Sequence, residues 1–131
     1  MSDKAIGYLG LMRRGGMIEL GENGVAEAVR GRKAKLLLLV PDAGENARDR
    51  AESLAKGHGV PLAVLPYTRE ELSMALGKAN TVMAAVTDAG FAQALMKTLS
   101  ESDGKYADIY ELMVKRAARS AGRTGTRRKN A

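Results

Sequence analysis

Residues 21–41 read GENGVAEAVRGRKAKLLLLVP, and the second half of that stretch decides the fold. Leu36, Leu37, Leu38, Leu39 and Val40 form an unbroken apolar run that stops at Pro41. The run is far too short to cross a bilayer and has no polar alternation, so it reads as a strand covered on both faces. A strand of that kind needs helices above and below it, which makes the chain α/β. Ahead of it, Val25, Ala28 and Val29 recur at i, i+3 and i+4, giving a short helix one apolar face. Gly21 and Asn23 open that helix: Gly permits the turn, and Asn suits a cap or first turn. A helix start carries unpaired N–H groups and the positive end of the dipole, so this corner can receive a phosphate, although by its chemistry alone it reads more readily as no more than the start of a helix.

Outward from this unit the same alternation continues. On the N-terminal side, Ala5, Tyr8, Leu9 and Met12 share a helical face that ends at Arg13-Arg14-Gly15-Gly16, and Met17 to Leu20 reads as a short strand. The arginine doublet reads more readily as a complement to the helix end than as a nucleic-acid contact. On the C-terminal side, Pro41 to Gly44 is a loop, and Ala47, Ala51, Leu54 and Ala55 mark a helix closed by Gly57-His58-Gly59. Val60 to Leu65 is a strand, Thr68-Arg69-Glu70-Glu71 a capping box, and Leu72, Ala75 and Leu76 the apolar face of the helix it opens. Gly77 ends that helix, Lys78 to Thr81 is a loop, and Val82 to Val86 a fourth strand. Asp88 caps a helix with Phe91, Ala92, Leu95 and Leu99 on one face. Helix and strand alternate from end to end, which predicts an α/β/α sandwich in one domain over residues 1–100.

Ser100 to Gly104 breaks the pattern. Beyond it Tyr106, Tyr110, Met113, Val114 and Ala117 define an amphipathic helix within 101–120. It is expected to dock on its own body, with a protein partner bound through 106–118 as the alternative. Residues 121–131 hold four basic side chains, two glycines and nothing apolar larger than Ala, so they read as a disordered basic tail.

Composition narrows the function. The 131 residues include no cysteine, which excludes disulfides and thiolate metal sites. The single histidine, His58, sits in a Gly-rich turn and reads as an exposed turn residue rather than a base, and neither a GxGxxG nor a P-loop occurs. No catalytic residue, metal or cofactor is expected. The N-terminal stretch does not read as a signal peptide, so the expectation is a soluble cytoplasmic monomer with no membrane association. The formal charge is +6, and all of it lies beyond residue 103, because residues 1–103 hold 13 basic and 13 acidic side chains. Electrostatic attraction to RNA is therefore expected from the tail first.

The central unit resembles the kink-turn RNA-binding ribosomal protein superfamily, the L-seven-Ae and L-thirty-e group. That family's pattern is Gly-x-Asn-Glu-x-x-Lys, then Ala-Ile/Val, then Gly-Lys-Ala-Lys-Leu and a hydrophobic strand. Gly21, Asn23, Ala28, Val29, Lys33, Ala34, Lys35 and Leu36 fall in step. GLMRRGGMIELG, GKANTV and AVTDAGFAQAL extend the resemblance over roughly residues 4–99, most closely to small bacterial L-seven-Ae-like ribosomal proteins.

The resemblance implies a four-stranded mixed sheet between helices. It also implies a protein that grips structured RNA, ribosomal or kink-turn, with the start of its second helix and the loop before its last strand. There the family's Asn and Glu read guanine edges of sheared G·A pairs, and its Lys adds a base or phosphate contact. Carried over, the site comprises Gly21, Glu22, Asn23, Gly24 and Glu27, with Gly77, Lys78, Asn80 and Val82 as the second loop. Arg30, Arg32, Lys33 and Lys35 are candidates for backbone contacts, though such a charge run usually reads as a solvated face, as are Arg123, Arg127, Arg128 and Lys129 of the tail. Two positions depart from the pattern: Gly24 stands where the family has Glu, and Glu27 where it has Lys. Base contacts of this kind contribute about 1–3 kcal/mol each, so the departures predict weakened kink-turn recognition. The competing expectation is a protein-interaction module that kept the fold and lost the RNA.

Overall fold

A computed structural model describes the backbone of residues 4–130 and the side chains of residues 4–119. Five helices and four strands alternate as expected. They are α1 Lys4–Arg14, β1 Ile18–Leu20, α2 Gly21–Arg30, β2 Leu36–Leu39, α3 Glu45–His58, β3 Leu62–Val64, α4 Arg69–Leu76, β4 Met83–Val86 and α5 Ala89–Ser102. A 3-10 turn at Gly104–Tyr106 then leads into a long α6, Ala107–Asn130.

The sheet order is β1-β4-β2-β3. β2 runs parallel to β3 and antiparallel to β4, and β4 runs antiparallel to β1, so the sheet is mixed. All four residues of β2 and of β4 are buried, as an apolar strand with helices on both faces requires. α2 and α3 pack together on one face; α1 packs with α4 and α5 on the other. The three-layer α/β/α sandwich is thus the observed architecture.

Local signals account for the boundaries. Thr68 Oγ1 accepts from the Glu71 N–H at 3.2 Å, and the Glu71 carboxylate accepts from the Thr68 N–H at 2.8 Å, completing the capping box. Asp88 caps α5 through the Phe91 N–H at 2.8 Å. α3 and α4 end on Gly59 and Gly77, both in the left-handed region. Arg13 does act as a cap, but on a neighbouring helix: its Nε donates to the Leu76 carbonyl at the end of α4, 3.2 Å away.

The C-terminal third departs from expectation in two ways. The break predicted over Ser100 to Gly104 shrinks to Asp103, because α5 continues to Ser102 and the 3-10 turn begins at Gly104. Asp103 tightens that turn by accepting from the Lys105 N–H at 3.0 Å. Residues 121–130, read as disordered, continue the backbone of α6.

The docked part of α6 lies on the protein's own body, packed against α5. Tyr106 and Met113 are buried, and the Tyr106 hydroxyl donates to the Val64 carbonyl on the edge strand β3. Tyr106 and Met113 of the apolar face expected within 106–118 are therefore used internally, Tyr110 and Ala117 are half-buried, and Val114 stays exposed. Burial, and secondarily Asp103 and Tyr67, push the Tyr106 phenol up to about 12.

Candidate nucleic-acid interface

Strand register separates the two ends of the sandwich. Leu20 pairs with Ala84 and Leu39 with Met83, so one end gathers the close of β1, the start of α2, the close of β2 and the loop entering β4. At the other end Lys35 donates its N–H to the Val86 carbonyl at 2.7 Å, bringing the α2–β2 joint to the far end of β4.

The first end holds the core of the predicted site. β1 passes directly into α2 through Gly21, whose φ of 81° lies where a side chain would be strained. Leu20 occupies the N-cap position and provides no side-chain hydrogen bond, so the first-turn N–H groups of α2 have no side-chain cap. Glu22, Asn23 and Glu27 are exposed on the helix, and Val25, Ala26, Ala28 and Val29 turn inward. Asn23 is thus a residue of the first turn and not its cap.

The second loop is braced from beneath. Thr81 is the one buried polar residue among those described; its N–H donates to Ser73 Oγ at 3.0 Å and its hydroxyl to the Lys78 carbonyl at 2.9 Å. Asn80 adopts φ 59°, a left-handed conformation that Asn tolerates better than most side chains. Gly77, Lys78 and Asn80 are exposed and Val82 half-buried. The two predicted segments therefore meet at one end of the sheet, and their polar groups are open to solvent.

Gly24 has room for a side chain. A Cβ there would lie 3.5 Å from the Glu19 Cβ and 3.9 Å from Glu19 Oε1, both ordinary contacts. An exposed carboxylate on β1 thus stands next to the position where the expected Glu is missing. Sequence reasoning passed over Glu19, since no periodicity links a strand residue to a helix residue across a tight turn.

The basic candidates do not join this group. Arg30, Lys33 and Lys35 lie toward or beyond the C-terminal end of α2, and a ten-residue helix spans about 15 Å. Arg123, Arg127, Arg128 and Lys129 fall on the distal backbone of α6, and their side chains lie outside the described residues. His58 closes α3, exposed, with Nδ1 3.2 Å from the Leu54 carbonyl. Among the described residues no cluster of potential metal ligands occurs, and no helix is long and apolar enough to cross a membrane.

A β1-β4-β2-β3 sheet between two helical layers, with an uncapped helix start beside a braced loop, defines a class: the three-layer domains of L7Ae-like ribosomal proteins. The chain belongs to the ribosomal protein L7Ae/L30e/S12e/Gadd45 family, whose profile matches residues 3–96. It is 35% identical over 91 residues to the RNA-binding protein YlxQ of Bacillus subtilis, covering 70% of this chain and 90% of that one. To YlxQ of Enterococcus faecium it is 31% identical over 90 residues, covering 69% and 85% respectively. A Bacillus halodurans structure described as a protein of unknown function superposes with a TM-score of 0.66 at 31% identity, covering 72% of this chain and 94% of that one. The Giardia lamblia 15.5kD RNA binding protein shares the fold, with a TM-score of 0.59 at 15% identity over 82% of this chain and 85% of that one.

Proposed function

We propose that this protein is a non-catalytic, cytoplasmic RNA-binding protein of the ribosomal L7Ae type. It docks a structured RNA, ribosomal or kink-turn, on the sheet end where α2 begins. The observation that carries this reading is the convergence of the α2 start, without a side-chain cap, and the braced Gly77–Val82 loop on that end. Unpaired N–H groups there favour phosphate, and the exposed Asn23 amide supplies the donor and acceptor that a base edge requires. The matched family and the two relatives named as RNA-binding support the same ligand. Gly24 and Glu27 weaken kink-turn recognition, the first by removing a carboxylate and the second by setting an anion beside phosphate. Burial of Tyr106 and Met113 on the body supports this reading over a protein-binding role for α6.

The test is titration of a fluorescently labelled kink-turn RNA, with a control in which the sheared G·A pairs are replaced by Watson–Crick pairs. Asn23→Ala should weaken binding to the kink-turn by about 5–100-fold, the span of one base contact, and leave the control unchanged. Equal binding of both RNAs by the parent would mean that the α2 end reads no kink-turn feature.

A further inference from the structure

The end of the sandwich opposite Asn23 holds a second feature that the kink-turn reading does not use. A cleft of about 710 Å³ opens between the α2–β2 joint, the close of α3 and the docked part of α6. Arg32, Lys35, His58, Arg116 and Arg119 line it, and among the described residues no acidic one does. All five are exposed. Among the described residues, none of the four arginine and lysine side chains takes part in an ion pair. Val29, Val60 and Met113 contribute an apolar floor. The body is formally neutral over residues 1–103, so this concentration of cations is a local arrangement, made where α6, packed on α5, borders the same cleft as the ends of α2 and α3.

The backbone at Arg32 adds an independent observation. The Arg32 N–H donates to the Val29 carbonyl at 3.1 Å and the Lys33 N–H to the Ala28 carbonyl at 2.9 Å, the two bonds of a Schellman ending. That motif places Arg32 in the left-handed region, at φ 60°, and Gly31 just before it at φ −80°. The position that glycine would fill without strain is held by an arginine, although a glycine is adjacent. Backbone strain at a charged residue lining a cleft points to a use for the side chain.

We infer that this cleft is a second RNA site, which takes the phosphodiester backbone of a single-stranded segment flanking the structured RNA. The proposal rests on RNA being the ligand of the α2 end. A strand leaving that end along the exposed face of α2 passes Arg30 and reaches the cleft about 15 Å further on. Four cations line the cleft and, among the described residues, no Phe, Tyr or Trp does, so phosphate contact outweighs base stacking there. Binding there is salt-sensitive and indifferent to sequence.

The probe is a labelled 12-nucleotide oligouridylate, titrated against the full chain by anisotropy over a salt series. The cleft variant is Arg32→Gln/Arg116→Gln/Arg119→Gln. A control variant, Arg14→Gln/Arg50→Gln/Lys97→Gln, removes the same charge from exposed positions elsewhere. The cleft variant should lose about tenfold in affinity or more, with the slope of log affinity against log salt flattened by about 2 units. The control should change by less than about threefold, as unlocalised charge would. Equal losses in both variants would overturn the cleft in favour of net charge, and no loss in the cleft variant would overturn it outright. Displacement of the oligouridylate by an aspartate peptide of equal charge at equal concentration would overturn RNA in favour of an acidic protein. Asn23→Ala separates the two sites: it should impair kink-turn binding and leave the oligouridylate unaffected. A chain that ignores the kink-turn but holds the oligouridylate through the cleft sinks the first reading and keeps the second.

Discussion

Single residues govern how tightly the α2 end can hold RNA. Gly24 lies within the helix, exposed enough for a longer side chain and flanked by Glu19 at ordinary contact distance. Gly24→Glu replaces a glycine that costs the helix about 0.5–1 kcal/mol, and it places the carboxylate near the positive end of the dipole. Glu27 is exposed, off the face of Val25, Ala28 and Val29, so Glu27→Lys leaves the core untouched. The double variant should bind a kink-turn RNA at least tenfold more tightly than the parent, a change of about 1.4 kcal/mol, and the gain should vanish with the Watson–Crick control. An inert double variant with an intact circular dichroism spectrum would mean that the loop from Gly77 to Val82 or the angle of α2 does not suit the RNA, and would favour the protein-interaction reading. Arg32 makes the opposite kind of prediction. Arg32→Gly relieves a left-handed arginine, which should raise stability by about 0.5–1 kcal/mol and the melting temperature by a few degrees. Differential scanning calorimetry checks it, and an unchanged or lower melting temperature would mean the position is not strained.

At the scale of elements, α6 docks through Met113, Ile109 and Tyr110, and through Tyr106 in the turn that precedes it. Tyr106 packs under the turn that Asp103 tightens, Lys105 lies over its ring with Nζ 5.2 Å from the centroid, and its hydroxyl reaches the Val64 carbonyl. The folded phenol titrates at about 12 against an ordinary 10.0, so folding favours its protonated form. Stability from that difference is fully present below pH 10.0 and is lost as pH rises through about 12. Tyr106→Phe removes the ionisable group together with the hydrogen bond. The variant should be less stable by about 1 kcal/mol at neutral pH. Urea denaturation as a function of pH should show the gap between parent and variant narrowing across pH 10.0 to about 12. A gap that stays constant through that window would mean the phenol remains free to ionise in the folded chain.

For the whole molecule, charge is divided between a neutral body and a basic C-terminal helix. Deleting residues 120–131 removes four cations, Arg123, Arg127, Arg128 and Lys129, and leaves Tyr106 and Met113 docked. Nonspecific RNA affinity should fall, and the salt slope should flatten by about 3 units or fewer. An unchanged slope in filter binding would assign phosphate contact to residues 1–119.

Much of this architecture is legible in the sequence. The run from Leu36 to Val40 implied a strand with helices on both faces, because an apolar strand cannot leave one face in water. Thr68 with Glu71, and Asp88 before its apolar face, marked helix starts whose chemistry is local and therefore readable. Gly21, Asn23 and the Gly77–Val82 loop were placed in one site by resemblance, and strand register brings them to one end of the sheet. The basic residues were not separable in the same way. Lys33 and Lys35 follow the site closely in sequence, yet the length of α2 carries them to the far end of the sandwich. His58 and Arg116 are 58 residues apart in numbering, and only the docking of α6 brings them to one cleft. Local patterns reveal what a segment becomes, because caps, turns and apolar faces act within a few residues. Which charges share a surface depends on where the helices are laid, and that is set by packing between segments distant in the chain.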